Sequence, residues 1–113
     1  MSADVWIGDE GHNYTHNTSR LWHDHLQDGD LTGLSVLDGK TGAEAFRLMK
    51  DAFDKIHRTC INDWKLEDVG EPVFCRKYDS SNGWGSTVGG LIFLAKIMAS
   101  CASHPRKKVR VSL

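Results

Sequence analysis

Between residues 88 and 102, Val88, Leu91, Ile92, Ala95, Met98, Ala99 and Ala102 recur at helical spacing. Phe93, Leu94, Ile97 and Cys101 fill most of the remaining circumference, so the pattern predicts a central helix covered on several sides. Ser86 or Thr87 supplies its cap, and Pro105, following His104, stops it. A second helix begins at Thr41-Gly42-Ala43-Glu44, a capping-box spacing in which hydroxyl and carboxylate each satisfy the other residue's backbone amide. Phe46, Met49, Phe53, Ile56 and Cys60 then alternate gaps of three and four, giving one apolar face that ends near Ile61-Asn62-Asp63-Trp64. Asn17 or Thr18 caps a shorter helix from Ser19 to about Gln27, with a narrow stripe of Leu21, Trp22 and Leu26.

The strand signals lie at the two ends. Val5 and Ile7 alternate with Trp6 before Gly8-Asp9-Glu10-Gly11, a turn or bulge, and residues 12–16 alternate again as a continuation or a hairpin partner. Val109, Val111 and Leu113 share one face of a closing strand beside the first. Leu34-Ser35-Val36-Leu37 reads as a short strand or a buried connector. Residues 65–81 give no decisive pattern, although Glu71-Pro72 opposes helix and Val73, Phe74 or Cys75 can form a strand or cover the core. The expected architecture is α+β: three helices packed with a small sheet of two to four short strands, the N- and C-terminal strands adjacent, in one domain over 1–113.

Charge and cysteine usage narrow the classes. Fourteen Lys and Arg against fifteen Asp and Glu leave a net charge of -1, which gives no global footprint for nucleic acid or anionic lipid. Cys60, Cys75 and Cys101 are odd in number and far apart, as suits buried thiols in a reducing compartment. Met1-Ser2-Ala3-Asp4 lacks a signal peptide's charge pattern, and Lys96 interrupts an apolar run far short of the about 20 residues of a membrane span. The expectation is a soluble, cytoplasmic protein.

Four segments carry a resemblance: Tyr14-Thr15-His16-Asn17, Leu37-Asp38-Gly39-Lys40-Thr41-Gly42, Asn82-Gly83-Trp84-Gly85 and Val109-Arg110-Val111-Ser112. In their order and spacing the chain resembles a group of small uncharacterised proteins from actinobacteria and their phages. It departs from them at Gly8 to Gly11, at Ser80-Ser81 in place of prolines, and in the extra His23 and His25. The resemblance implies a small α/β domain of phage or mobile-element origin and brings no activity with it.

Candidate chemistry gathers in two places. His12 and His16 share a side if residues 12–16 form one regular strand, and with His23 and Asp24 or His25 they would make a hydrolytic metal site. The competing reading has His16 bonding at the strand–helix junction while His12, His23 and His25 are solvated. Tyr14, His16 and Asn17 enter a helix whose free amides suit a phosphate or carboxylate, against an ordinary Asn cap beside a buried Tyr. Trp84 between two glycines is either an exposed anchor or the cover of its own core. Gly89 and Gly90 inside a helix cost about 1 kcal/mol each relative to Ala, which points to close approach by another element or a ligand. The basic run Arg106 to Arg110 reads as a charged edge strand. Neither a nucleophile elbow nor a nucleotide loop is present, so Ser19, His16 and Asp38, or Cys75 and His57, lack the context of a catalytic set.

These readings converge on a non-enzymatic domain that binds a protein partner or small ligand through Tyr14, His16, Asn17 and Trp84, with no cofactor, no nucleic acid and no membrane. The alternatives are a small hydrolase using His12 and His16, and a structural component pairing with a second copy through Trp22 or Trp64.

Overall fold

The computed structural model describes residues 2–66 and 78–113, the side chains of residues 16 and 60–66 excepted. Strands β1 (Ser2–Ile7) and β2 (Glu10–Thr15) form an antiparallel hairpin, with Ile7 opposite Glu10 and Ser2 opposite Thr15. Only two residues connect them, and Gly8, at φ 59°, takes the first central position as a type II′ turn demands. The turn and the hairpin readings are both realised, and the bulge and the continued strand are not. A single 3₁₀ turn, His16–Thr18, leads into α1 (Ser19–His25), two residues shorter at its end than the stripe suggested.

The link after α1 carries two-residue strands β3 (Gln27–Asp28) and β4 (Leu31–Thr32), paired antiparallel, which are too short to leave a period in the sequence. Leu34–Leu37 is a 3₁₀ turn with Leu34, Val36 and Leu37 buried, which makes it a connector rather than a strand. Helix α2 (Gly42–Leu66) follows its capping box: the Glu44 N–H donates to Thr41 Oγ1 at 3.3 Å, and the Thr41 N–H donates back to Glu44 Oε1 at 3.3 Å. It runs past the expected end at Trp64. Helix α3 (Thr87–Ser103) leads to β5 (Val109–Ser112).

The sheet order is β2-β1-β5, and β5 pairs antiparallel with β1, Asp4 opposite Ser112. The N- and C-terminal strands are thus neighbours, and among the described residues three helices with an antiparallel three-stranded sheet and the β3–β4 ribbon make an α+β fold. On β1 the alternate residues Ala3, Val5 and Ile7 are buried. They meet Ala45, Met49, Ala52 and Ile56 of α2 and Leu91, Leu94, Ile97 and Cys101 of α3 in one core. Phe46 and Phe53 flank the α2 stripe as partly buried residues. Burial pushes the Cys101 thiol up to about 11, so it is an inert packing group at neutral pH.

Helix α3 is not covered all round. Among the described residues its buried side carries Leu91, Phe93, Leu94, Ile97 and Cys101, while Val88 is 41% and Ile92 53% exposed and Ala95, Ala99 and Ala102 also face out. An outward apolar stripe therefore runs along the helix from Val88. Trp22 is buried and packs against Phe93 at 5.9 Å between ring centroids, which removes it as a contact residue between copies. The side chains of Cys60 and Trp64 and the readings for Pro72, Val73, Phe74 and Cys75 lie outside what the structure describes. Leu113 is 53% exposed, so only Val109 and Val111 of its predicted face pack inward. No helix among the described residues is long and apolar enough to cross a membrane.

Candidate functional site

The β2 side chains that alternate toward the core meet α3 near its two ends, Tyr14 at Ser86 and His12 at Ser100. Tyr14 lies at the first turn of α3: its hydroxyl accepts the Ser86 N–H at 2.8 Å and reaches the Ser86 carbonyl at 3.3 Å. Its ring stacks on Phe93 at 5.8 Å. A β-carbon on Gly89 would run into the Tyr14 hydroxyl, and one on Gly90 would meet Leu21. The two helix glycines thus serve close packing by β2 and α1, one of the two explanations their cost suggested. Ser86 caps α3, its Oγ accepting the Gly89 N–H at 2.9 Å, and Asp79 Oδ1 accepts the Thr87 N–H at 2.8 Å. The amides of Ser86, Thr87, Gly89 and Gly90 are thus occupied.

Trp84 stands at the tip of a closed turn. The Ser80 N–H donates to the Gly85 carbonyl at 3.0 Å, the Trp84 N–H donates to Asn82 Oδ1 at 2.9 Å, and Gly83 and Gly85 take φ of 79° and 124°. From across the surface Asn17 Nδ2 donates to the Trp84 carbonyl at 3.1 Å. With its backbone tied at both polar atoms, the residue presents an indole that is 72% exposed. The core-cover reading of Trp84 is therefore corrected: the ring faces outward. Asn17 is not the cap of α1 either, because its amide is committed to Trp84, while Thr18 takes the cap position without a side-chain bond.

Tyr14, Asn17 and Trp84 thus come together, and with Ser2, Asn13 and Thr15 they line an open hollow of about 660 Å³. A second hollow of about 380 Å³ adjoins it through Asn13 and Tyr14 and is lined on the helix side by Gly89, Ile92 and Lys96. Sequence reasoning missed Ile92 and Lys96. The side chain of His16 lies outside the described residues.

The histidines separate. β2 ends at Thr15 and His16 opens the 3₁₀ turn, so His12 and His16 do not sit on one regular strand. His12 Nε2 lies 2.7 Å from Ser100 Oγ. His23 Nδ1 contacts Thr32 Oγ1 at 3.2 Å, and His25 is buried between the Leu21 carbonyl and Thr59 Oγ1, contrary to its expected solvation. Among the described residues, no group of three or more His, Cys, Asp or Glu gathers as a metal site.

The Ser100 hydroxyl also bonds Glu10, whose carboxyl is held below the ordinary glutamate value mainly by that bond, with burial opposing and His104, 3.6 Å away, assisting. The His12–Ser100 contact and the Glu10–His104 pair tie the hairpin to the end of α3. Because the folded-state value of Glu10 is depressed, its contribution to stability is present above the unfolded value and is lost as pH falls through the folded one. Ser100→Ala is expected to move the Glu10 titration back up toward an ordinary glutamate, read by carboxyl-carbon NMR between pH 2 and about 7.

Comparison of the chain with protein-family models, with curated proteins and with solved structures finds no match.

Proposed function

We propose that this chain is a non-enzymatic binding domain that engages a protein partner or small ligand on the surface around Tyr14, His16, Asn17 and Trp84. The observation that carries the reading is the Trp84 indole, 72% exposed on a turn whose backbone is fixed by Asn17 and Asn82. Exposing an aromatic ring of this size to water is costly, and a pre-ordered ring loses little conformational entropy on binding. Anchors of this type dominate the energetics of interfaces. The role in a cell is that of a cytoplasmic accessory protein, in a phage or its host, acting by recognition.

Quantitative affinity capture with wild type and Trp84→Ala tests this. The substitution is expected to weaken retention of any captured partner at least tenfold, about 1.4 kcal/mol, while circular dichroism and the melting temperature stay within error. Unfolding of Trp84→Ala without a separable binding defect would assign the ring a structural role instead.

A further inference from the structure

The two edges of the sheet are treated differently. In a two-residue hairpin the flanking residues, Ile7 and Glu10, form a hydrogen-bonded pair, and the pattern alternates from there. The backbone groups of Glu10, His12 and Tyr14 therefore point to β1, and those of Gly11 and Asn13 point away from the sheet. Carried across β1, the same alternation turns the groups of Val109 and Val111 outward on the opposite edge. There they are used: Gly39 N–H donates to the Val109 carbonyl at 2.8 Å, Val109 N–H to the Lys40 carbonyl at 2.8 Å, and Val111 N–H to Asp38 Oδ1 at 3.0 Å. That edge also carries Arg106, Lys107, Lys108 and Arg110, charges that discourage strand addition.

The β2 edge is less protected. Among the described residues no strand pairs with it, and Thr18 Oγ1 reaches only its last carbonyl, that of Thr15, at 3.5 Å. Its single carboxylate, Glu10, lies at the hairpin end and pairs with His104, and the edge holds no proline or lysine. Beside it α3 runs antiparallel to β2, with Tyr14 at Ser86 and His12 at Ser100, and presents Val88 and Ile92 to solvent. Strands lie about 4.8 Å apart and a helix is about 10 Å wide, so a helix under the edge of a sheet extends beneath one further strand position. The two adjoining hollows lie along this edge, with Trp84 at the Thr15 end and Lys96 at the Gly11 end. Among the described residues, Lys96 is the only Lys, Arg, Asp or Glu lining either hollow.

We infer that the outer edge of β2 accepts an extended segment of a partner polypeptide as a fourth, antiparallel strand. Its alternate apolar side chains cover Val88, Ile92 and Trp84, and an acidic residue toward its C-terminal end meets Lys96. Backbone pairing at Gly11 and Asn13 supplies affinity, and the helix stripe supplies selection. The inference rests on the binding-domain reading and names its partner class.

A random octapeptide library displayed on phage, selected against the full chain, provides the probe. Enriched peptides are expected to alternate apolar residues and to carry Asp or Glu near the C-terminal end. A synthetic peptide of that sequence should slow amide exchange at Gly11 and Asn13 at least tenfold. Asn13→Pro removes an outward N–H at a position where an edge strand tolerates proline, and is expected to weaken the peptide at least tenfold. Lys96→Glu, on an exposed site, should abolish the preference for the acidic residue with the fold unchanged. No enrichment over an unrelated control protein, or enriched peptides that leave both amides unprotected and bind Asn13→Pro normally, would overturn the inference. A dimer in sedimentation that Asn13→Pro dissolves would overturn it too, in favour of a second copy on the edge. Capture that depends on Trp84 but leaves the Gly11 and Asn13 amides unchanged would refute strand addition while the binding-domain reading stands.

Discussion

Leu94→Ala is expected to destabilise the fold by about 3–5 kcal/mol, measured as a fall in the urea midpoint at unchanged slope. Leu94 has no exposed surface, and it lies on α3 in the same core as the α2 stripe and the inner face of β1. Removing its branched end deletes favourable transfer and leaves a cavity that close-packed neighbours fill only in part. A domain of this size has about 5–15 kcal/mol in total, so roughly a fifth or more of its stability is at stake. Ile92→Ala in the same helix is the control. Ile92 is more than half exposed, and its truncation is expected to stay within about 0.5 kcal/mol. The pair of measurements reads out directly which side of α3 is the inside.

Gly42→Ala should cost about 2–3 kcal/mol and lower the melting temperature by roughly 10 °C in a thermal melt. Gly42 opens α2 where the helix start is clasped by the chain that follows α3. Its N–H donates to the Lys107 carbonyl at 2.8 Å, and the Ala43 N–H donates to the Pro105 carbonyl at 3.0 Å. A β-carbon at this position would enter the space of the His104 and Cys101 carbonyl oxygens and press on Ile7. Two of those three neighbours are backbone, so no rotamer change relieves the overlap; the start of α2 must move away and lengthen its bonds. Alanine's helix preference, about 1 kcal/mol over glycine in a helix interior and less at a first turn, opposes the loss without cancelling it.

The elements legible in the sequence are those with local causes. The capping box at Thr41 and Glu44 bonds as its spacing requires, and the period-two alternation of Val5, Ile7, Val109 and Val111 places the two end strands side by side with their valines inward. What the sequence left open depends on contrast or on distant partners. Helix α3 is apolar nearly all round, so its pattern carries no polar face to mark the side left without cover. A tryptophan between glycines is free to turn either way, and the choice is made by Asn17, far away in sequence. His25 is buried because Thr59 on α2 satisfies one ring nitrogen, a contact no local window contains. β3 and β4, at two residues each, are shorter than any period that would announce them. Of the site, Tyr14, Asn17 and Trp84 were within reach of sequence reasoning because their residue types are conspicuous. Ile92 and Lys96 were not, because their importance comes only from lying beside a strand edge.

The pairing of β1 with β5 also sets the order in which the molecule can be built. Asp4 and Ser112 are partners, so the middle strand of the sheet waits for residues made about a hundred positions later. Until then the early hairpin has Ala3, Val5 and Ile7 on one face with no helix or strand to bury them. Closing a loop of about a hundred residues costs entropy before any contact repays it, which makes this step slower than the formation of either long helix. During synthesis, the nascent hairpin is the part of the chain with most to gain from a chaperone.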